Sequence, residues 1–173
     1  MADPVVDERQ GGLTEQEKRE NVIRLAFGGR PSEFESFCRL VEDFVPPGTT
    51  AILRGSAVTG CRWRDAAEFD ADGPGSSDLD LTLVGDATLL FFKVTGFFIP
   101  GVHSRPLSDV DPDIAPDLVP LRRRLMDMVK RPVNIQGTRD LVTHIRGDLL
   151  GQPYLTLFVK PEGLALSGHA TRI

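Results

Sequence analysis

Apolar residues recur along this chain with two different periods. Phe34, Phe37, Cys38, Val41, Phe44 and Val45 fall at i, i+3, i+4 and i+7 spacing, which gathers them on one face of a helix. Ser32-Glu33-Phe34-Glu35 offers a cap at its start, and Pro46-Pro47-Gly48 ends it. Upstream, Thr14-Glu15-Gln16-Glu17 has the form of a capping box, with a carboxylate three residues after the hydroxyl. It predicts a helix over 14–27, stopped by Gly28-Gly29. Leu118, Leu121, Leu125, Met128 and Val129 predict another over 116–130, and residues 140–150 read as a further helix.

The second period is two. Asp78-Leu79-Asp80-Leu81-Thr82-Leu83-Val84 alternates strictly, so Leu79, Leu81 and Leu83 share one face of a strand. Residues 49–54, 133–136 and 154–159 are short β-branched or apolar runs and also read as strands. A short helix opens at Ser56. The apolar pieces 89–92 and 97–99 carry no period that assigns them to helix or strand. Glycine, proline and serine mark 61–77 as a mobile loop, and proline, glycine and aspartate mark 100–117 as loop.

Residues 1–12 carry no periodicity and read as a mobile tail, and the closing GHATRI reads as a loose end. No internal repeat or linker divides the remainder. The expectation is one domain over 13–173, of α/β (α+β) class, with a small mixed sheet flanked by helices. A length of 173 residues suits a single domain.

Composition narrows the function classes. A net charge of −5 argues against generic DNA binding, which needs a basic face. Two cysteines, Cys38 and Cys61, are too few for a disulfide framework. No stretch approaches the ~20 apolar residues of a membrane helix, and the N-terminus lacks the features of a signal peptide, so the expected location is cytoplasmic. His103, His144 and His169 show no metal-ligand spacing. Arg122-Arg123-Arg124 reads as the solvated face of its helix. Asp109-Val110-Asp111-Pro112-Asp113 fails as a calcium loop, because Ile114 and Pro120 stand where glycine and glutamate are required; it reads as a solvated acidic loop.

The chemistry concentrates between Arg54 and Val84. Gly55 ends a strand and lets backbone approach a phosphate, and Ser56 adds a hydroxyl and begins a helix with free N–H groups. Asp78 and Asp80 project from the same face of the next strand, roughly 6–7 Å apart at about 3.3 Å per residue. Two carboxylates so spaced repel one another unless a divalent cation joins them, and Mg²⁺ prefers hard oxygen ligands and shares its shell with phosphates.

Gly55-Ser56 followed by Ser77-Asp78-Leu79-Asp80-Leu81 resembles the signature of the polymerase-beta-like nucleotidyltransferase superfamily. The resemblance implies that Gly55 and Ser56 hold nucleotide phosphates and that Asp78 and Asp80 bind a two-ion Mg²⁺ site. It implies transfer of a nucleoside monophosphate from a nucleoside triphosphate to an acceptor, with release of pyrophosphate. The resemblance leaves the acceptor open among a small molecule, a protein and an RNA end, to be selected by the loops 61–77 and 100–117 or by a second subunit. Two features depart from the family. The spacer from Ser56 to Asp78 is long, and it includes Trp63, which reads equally as a packing residue or as a stacking surface for a base. The family's third carboxylate comes from a later strand, and the matching residue in 132–136 is Asn134, which brings no charge and is no base. A second expectation therefore stands beside the first: a degenerate member that binds a nucleotide or a partner protein without turnover.

Overall fold

The computed structural model describes residues 12–141 and 151–163. The tail over 1–12, the helix expected over 140–150, His144, His169 and the GHATRI end lie outside the described residues, but for Gly12, Asp140 and Leu141.

Helix α1 spans Glu15–Ala26, and its capping box is formed. Glu17 N donates to Thr14 Oγ1 at 3.2 Å, and Thr14 N donates back to Glu17 Oε2 at 2.7 Å. At the other end Phe27 N and Gly29 N both return to Ile23 O, at 3.2 and 2.9 Å, around the left-handed Gly28. Helix α2 spans Pro31–Phe44. Its start corrects the sequence expectation: Ser32 is no cap. Pro31 takes the first turn, where its fixed φ and missing N–H are tolerated, and Arg30 precedes it in extended conformation and pairs with Glu33 at 2.6 Å. Phe34, Phe37 and Val41 are buried as their spacing requires. Phe27 meets Phe34 and Phe37 edge to face, each at 5.4 Å. Phe44 leaves that face: it is 38% exposed and lies against Phe91.

The strands are β1 Thr50–Arg54, β2 Leu79–Val84, β3 Phe97–Ile99, β4 His103–Ser104, β5 Val133–Thr138 and β6 Tyr154–Val159. Between β1 and β2 lies the single-turn helix α3, Ser56–Thr59, and before β5 lies α4, Val119–Val129. The strands form one mixed sheet in the order β3-β4-β5-β2-β1-β6. β2 and β5 run parallel, and every other neighbouring pair is antiparallel. The fold is therefore mixed α+β, as its pattern of periods implied. Residues 89–92 belong mostly to a 3₁₀ turn, Asp86–Phe91, and 97–99 form an edge strand. The loop expected over 100–117 contains the two-residue β4 and ends in the 3₁₀ turn Pro116–Leu118.

One hydrophobic cluster joins helices to sheet. Val22, Phe34, Phe37 and Val41 from α1 and α2 pack with Leu79, Leu81 and Leu83 of β2 and with Leu121 and Leu125 of α4. Each such fully buried side chain contributes about 1.5–3 kcal/mol. Because alternate residues of β2 are anchored here, its register is held and Asp80 is turned away from the core. Among the described residues no helix is long and apolar enough to cross a membrane.

The basic run on α4 divides. Arg123 and Arg124 are exposed, but Arg122 is buried. Its Nε donates to Val133 O at 2.6 Å and its Nη2 to Asp109 Oδ1 at 2.9 Å, so it ties the start of β5 to the acidic loop. Asp111 in the same loop takes both of its bonds from Arg105 Nη1, at 2.9 Å each. Part of the acidity read as solvated thus serves to hold arginines.

Candidate functional site

The site forms where β1, β2 and β5 lie side by side. In the strand register Arg54 opposes Asp80 on one side, and Asn134 aligns with Asp80 on the other. Residues in register on neighbouring strands share a face, so Arg54, Asp80 and Asn134 form one row across three strands. Asp78, one residue before β2 begins, completes the group.

Asn134 is the hinge of this arrangement. Its Nδ2 donates to Asp78 Oδ2 at 2.7 Å and to Asp80 Oδ1 at 3.2 Å, bridging the two carboxylates. Arg54 stands on the opposite flank, with Nη1 at 4.0 Å from Asp80 Oδ2. Its Nη2 donates to Gln136 Oε1 at 3.2 Å. Gln136 Nε2 in turn lies 2.7 Å from Ser104 O and 3.0 Å from His103 Nε2. The guanidinium has only donors, so it fixes the Gln136 oxygen toward itself and the Gln136 amide hydrogens toward β4.

Burial raises the Asp80 carboxyl pKa above the ordinary 3.8; the charge of Asp78 raises it further, while Arg54 and the Asn134 amide oppose the shift. A half-buried acid beside an exposed one is costly to ionise together with it, and partners of opposite charge offset that cost only in part.

Gly55 meets Asp80 from β1. Its backbone has φ 92° and ψ −165°, a region essentially limited to glycine. A Cβ there would stand 3.3 Å from Asp80 Oδ2. Ser56 follows at the head of α3 and is buried. α3 is one turn long, so the helix-dipole contribution expected from the sequence is small. What remains is the backbone of Gly55 and the hydroxyl of Ser56. Gly55, Ser56, Asp78 and Asp80 line one cleft of about 280 Å³, together with Arg62, Trp63, Arg64 and Gln152.

The segment 61–77 departs from the mobile loop expected. Arg131 Nη1 donates to Asp70 Oδ1 at 2.8 Å and to Ser77 O at 2.9 Å, and Nη2 donates to Asp70 Oδ2 at 3.1 Å. Asp70 also accepts from the backbone N of Gly75 and Ser77, at 3.1 and 2.9 Å. The Arg131 guanidinium holds the Asp70 carboxyl down to about 2, and the Arg131 plane lies over Phe69 at 4.4 Å. The clamp fixes the residue directly before Asp78. Sequence reading missed it, and the one signal was a basic pair beside Pro132.

Among the described residues no group of three or more His, Cys, Asp or Glu side chains stands ready for a metal. The residues present nevertheless suit Mg²⁺ in donor type. That ion is commonly held by one or two carboxylates with water and substrate phosphates supplying the rest. Asp78 and Asp80 offer the carboxylates, and Asn134 would offer its amide oxygen only after a half-turn of the amide. Comparison of the chain with protein-family models, with curated protein sequences and with solved structures finds no match.

Proposed function

We propose that this protein is a Mg²⁺-dependent nucleotidyltransferase of the polymerase-beta-like kind. It would move a nucleoside monophosphate from a nucleoside triphosphate to an acceptor hydroxyl or similar group and release pyrophosphate. The observation that carries the reading is the convergence of Gly55, Ser56, Asp78 and Asp80 on one cleft from two separate strands.

Asp78 and Asp80 are the residues that would hold the cation. When bound, Mg²⁺ supplies charge neutralisation of the phosphates and Lewis-acid polarisation. The chain's own contribution is positioning. The Gly-only backbone at Gly55 leaves room for a phosphate beside Asp80, and the Ser56 hydroxyl and the nearby arginines, Arg62 and Arg64, supply donors. Arg54 balances the charge of Asp80 from behind. The cytoplasm provides the nucleotide and Mg²⁺ that this reading needs.

One observation favours a second reading, in which a nucleotide or a partner protein binds without turnover. Asn134 occupies the row where the family brings a third carboxylate, and its amide already satisfies both aspartates.

The test is a calorimetric titration with ATP, GTP, CTP and UTP, with and without Mg²⁺, paired with an assay of pyrophosphate release. The enzyme reading expects binding that needs Mg²⁺ and is lost in Asp78→Asn/Asp80→Asn, with release of pyrophosphate abolished in Asp80→Ala. Metal-dependent binding without pyrophosphate release under any acceptor screen favours the second reading. Turnover in Asp80→Ala equal to wild type sinks the assignment.

A further inference from the structure

Trp63 is the chain's single tryptophan, and it is 55% exposed. An aromatic of that size gains most from burial, so its exposure beside the cleft calls for a physical reason. Its backbone is not loosely held. Cys61 and Glu68 form an antiparallel bridge, Arg62 N donates to Ala67 O at 2.7 Å, and Ala66 N donates to Arg62 O at 2.9 Å. Ala66 closes the turn in the left-handed region at φ 57°, and Asp65 Oδ1 accepts from Ala67 N at 3.1 Å. The neighbouring Arg62 side chain is tied to Asp72 at 2.9 Å and to Asp65 at 3.7 Å. A tight, braced turn therefore presents the indole.

What the indole faces is twofold. On one side it lines the cleft of Gly55, Ser56, Asp78 and Asp80. On the other it lines a second recess of about 370 Å³, with Leu13, Thr59, Cys61, Ala66 and Pro153. The two hollows share Arg62 and Trp63, so they adjoin one another with those two side chains between them. The first carries charge of both signs, Asp78 and Asp80 with Arg62 and Arg64. The second is lined mainly by apolar groups, and the Thr59 hydroxyl there already donates to Cys61 O at 2.7 Å. Its volume falls within the range of roughly 300–1,000 Å³ typical of small-molecule sites.

We propose that the apolar recess is the subsite for the nucleobase, with Trp63 as its stacking face, for the nucleotide whose phosphates lie at Gly55 and Ser56. This rests on the nucleotidyltransferase reading above. A phosphate-and-metal cleft adjoining an apolar, aromatic-walled recess matches the two ends of a nucleotide: a charged tail and a flat ring. Every base has a π-face, so stacking tolerates all of them. Among the described residues the wall of the recess carries no carboxylate or amide side chain to read a base edge, and the Arg62 guanidinium there is tied to Asp72 and Asp65, so discrimination among the four bases is weak.

The experiment titrates the full chain, in Mg²⁺, with ATP and with inorganic tripolyphosphate, which has the charged tail and no ring. Calorimetry gives affinity, and fluorescence excited beyond the absorption of Tyr154 reports on Trp63 alone, the chain's single tryptophan. The expected result is tighter binding of ATP than of tripolyphosphate, with quenching by ATP only. Trp63→Ala weakens ATP by about ten- to a hundredfold and leaves tripolyphosphate unchanged, while Trp63→Phe keeps most of the ATP affinity. Equal affinity of wild type for both ligands, with silent fluorescence, overturns the base subsite and leaves the phosphate cleft standing. Equal loss of both ligands in Trp63→Ala also overturns it, since Trp63 would then only shape the cleft. Failure of wild type to bind either ligand overturns the cleft reading and the subsite together. Should Trp63→Ala not fold, the wild-type fluorescence and Trp63→Phe decide alone.

Discussion

Asn134 on β5 lies in register with Asp80 on β2, and its amide nitrogen donates to that carboxylate at 3.2 Å while reaching Asp78 at 2.7 Å. A neutral side chain thus does within the protein part of what a cation does for paired carboxylates. It satisfies lone pairs of the exposed Asp78 and the half-buried Asp80 that would otherwise face each other.

Asn134→Asp exchanges that donor for a third negative charge. The variant is expected to melt below wild type in chelator, by roughly 1–3 kcal/mol of lost stability, because three carboxylates then crowd one row. Millimolar Mg²⁺ is expected to restore much of that loss and to raise the variant's cation affinity above wild type. Thermal melts with EDTA and with Mg²⁺ check this. A variant indifferent to both would show that the row does not act as one cation site.

The pH dependence of Asp80 has a definite sign. Its carboxyl pKa is raised in the fold, chiefly by burial. The stability this group contributes is therefore present below its ordinary value of 3.8 and is lost as pH rises through its raised value. Asp80→Asn, in the absence of metal, is expected to gain stability relative to wild type as pH rises from about 4 toward 7. Melting both proteins across that window measures the gain. A constant difference at all pH values would mean that Asp80 titrates normally.

Arg131 and Asp70 give the opposite slope. Asp70 is held down to about 2, first by its bond from Arg131 and also by the backbone N–H of Ser77 and Gly75. Its contribution is present above 3.8 and is lost as pH falls toward 2. Arg131→Ala is expected to cost about 2 kcal/mol at pH 7, the scale of a hydrogen-bonded charge pair, and progressively less in acid. Arg131→Lys recovers only part, since one ammonium cannot reproduce the two-pronged contact. Urea unfolding at neutral and acidic pH tests this. If the clamp also positions Asp78, the nucleotide affinity of Arg131→Ala falls even where the protein remains folded.

Much of the fold was legible in the chain because it depends on local chemistry. The Thr14–Glu17 capping box, the buried face of Phe34, Phe37 and Val41, and the alternation of Leu79, Leu81 and Leu83 all follow from hydrogen bonds and spacings within a few residues. The pairing of Asp78 with Asp80 on one side of a strand follows in the same way from a period of two. Local chemistry was also where the reading erred. Ser32 looked like a cap until Pro31 claimed the first turn of α2, and Arg122 looked solvated until β5 presented Val133 O to it.

What only the tertiary structure decided is which distant segments meet. The parallel pairing of β2 with β5 sets Asn134 beside Asp80, and the antiparallel pairing with β1 sets Gly55 against the same carboxylate. The salt bridge from Arg131 to Asp70 turned a loop expected to be mobile into a braced one. Strand order and such long-range pairs arise from how one shared core is best filled, and no short stretch of sequence carries that information. The chain by itself determined the chemistry of the individual site residues; their common cleft, and the tryptophan wall beside it, came from the packing of elements far apart along the chain.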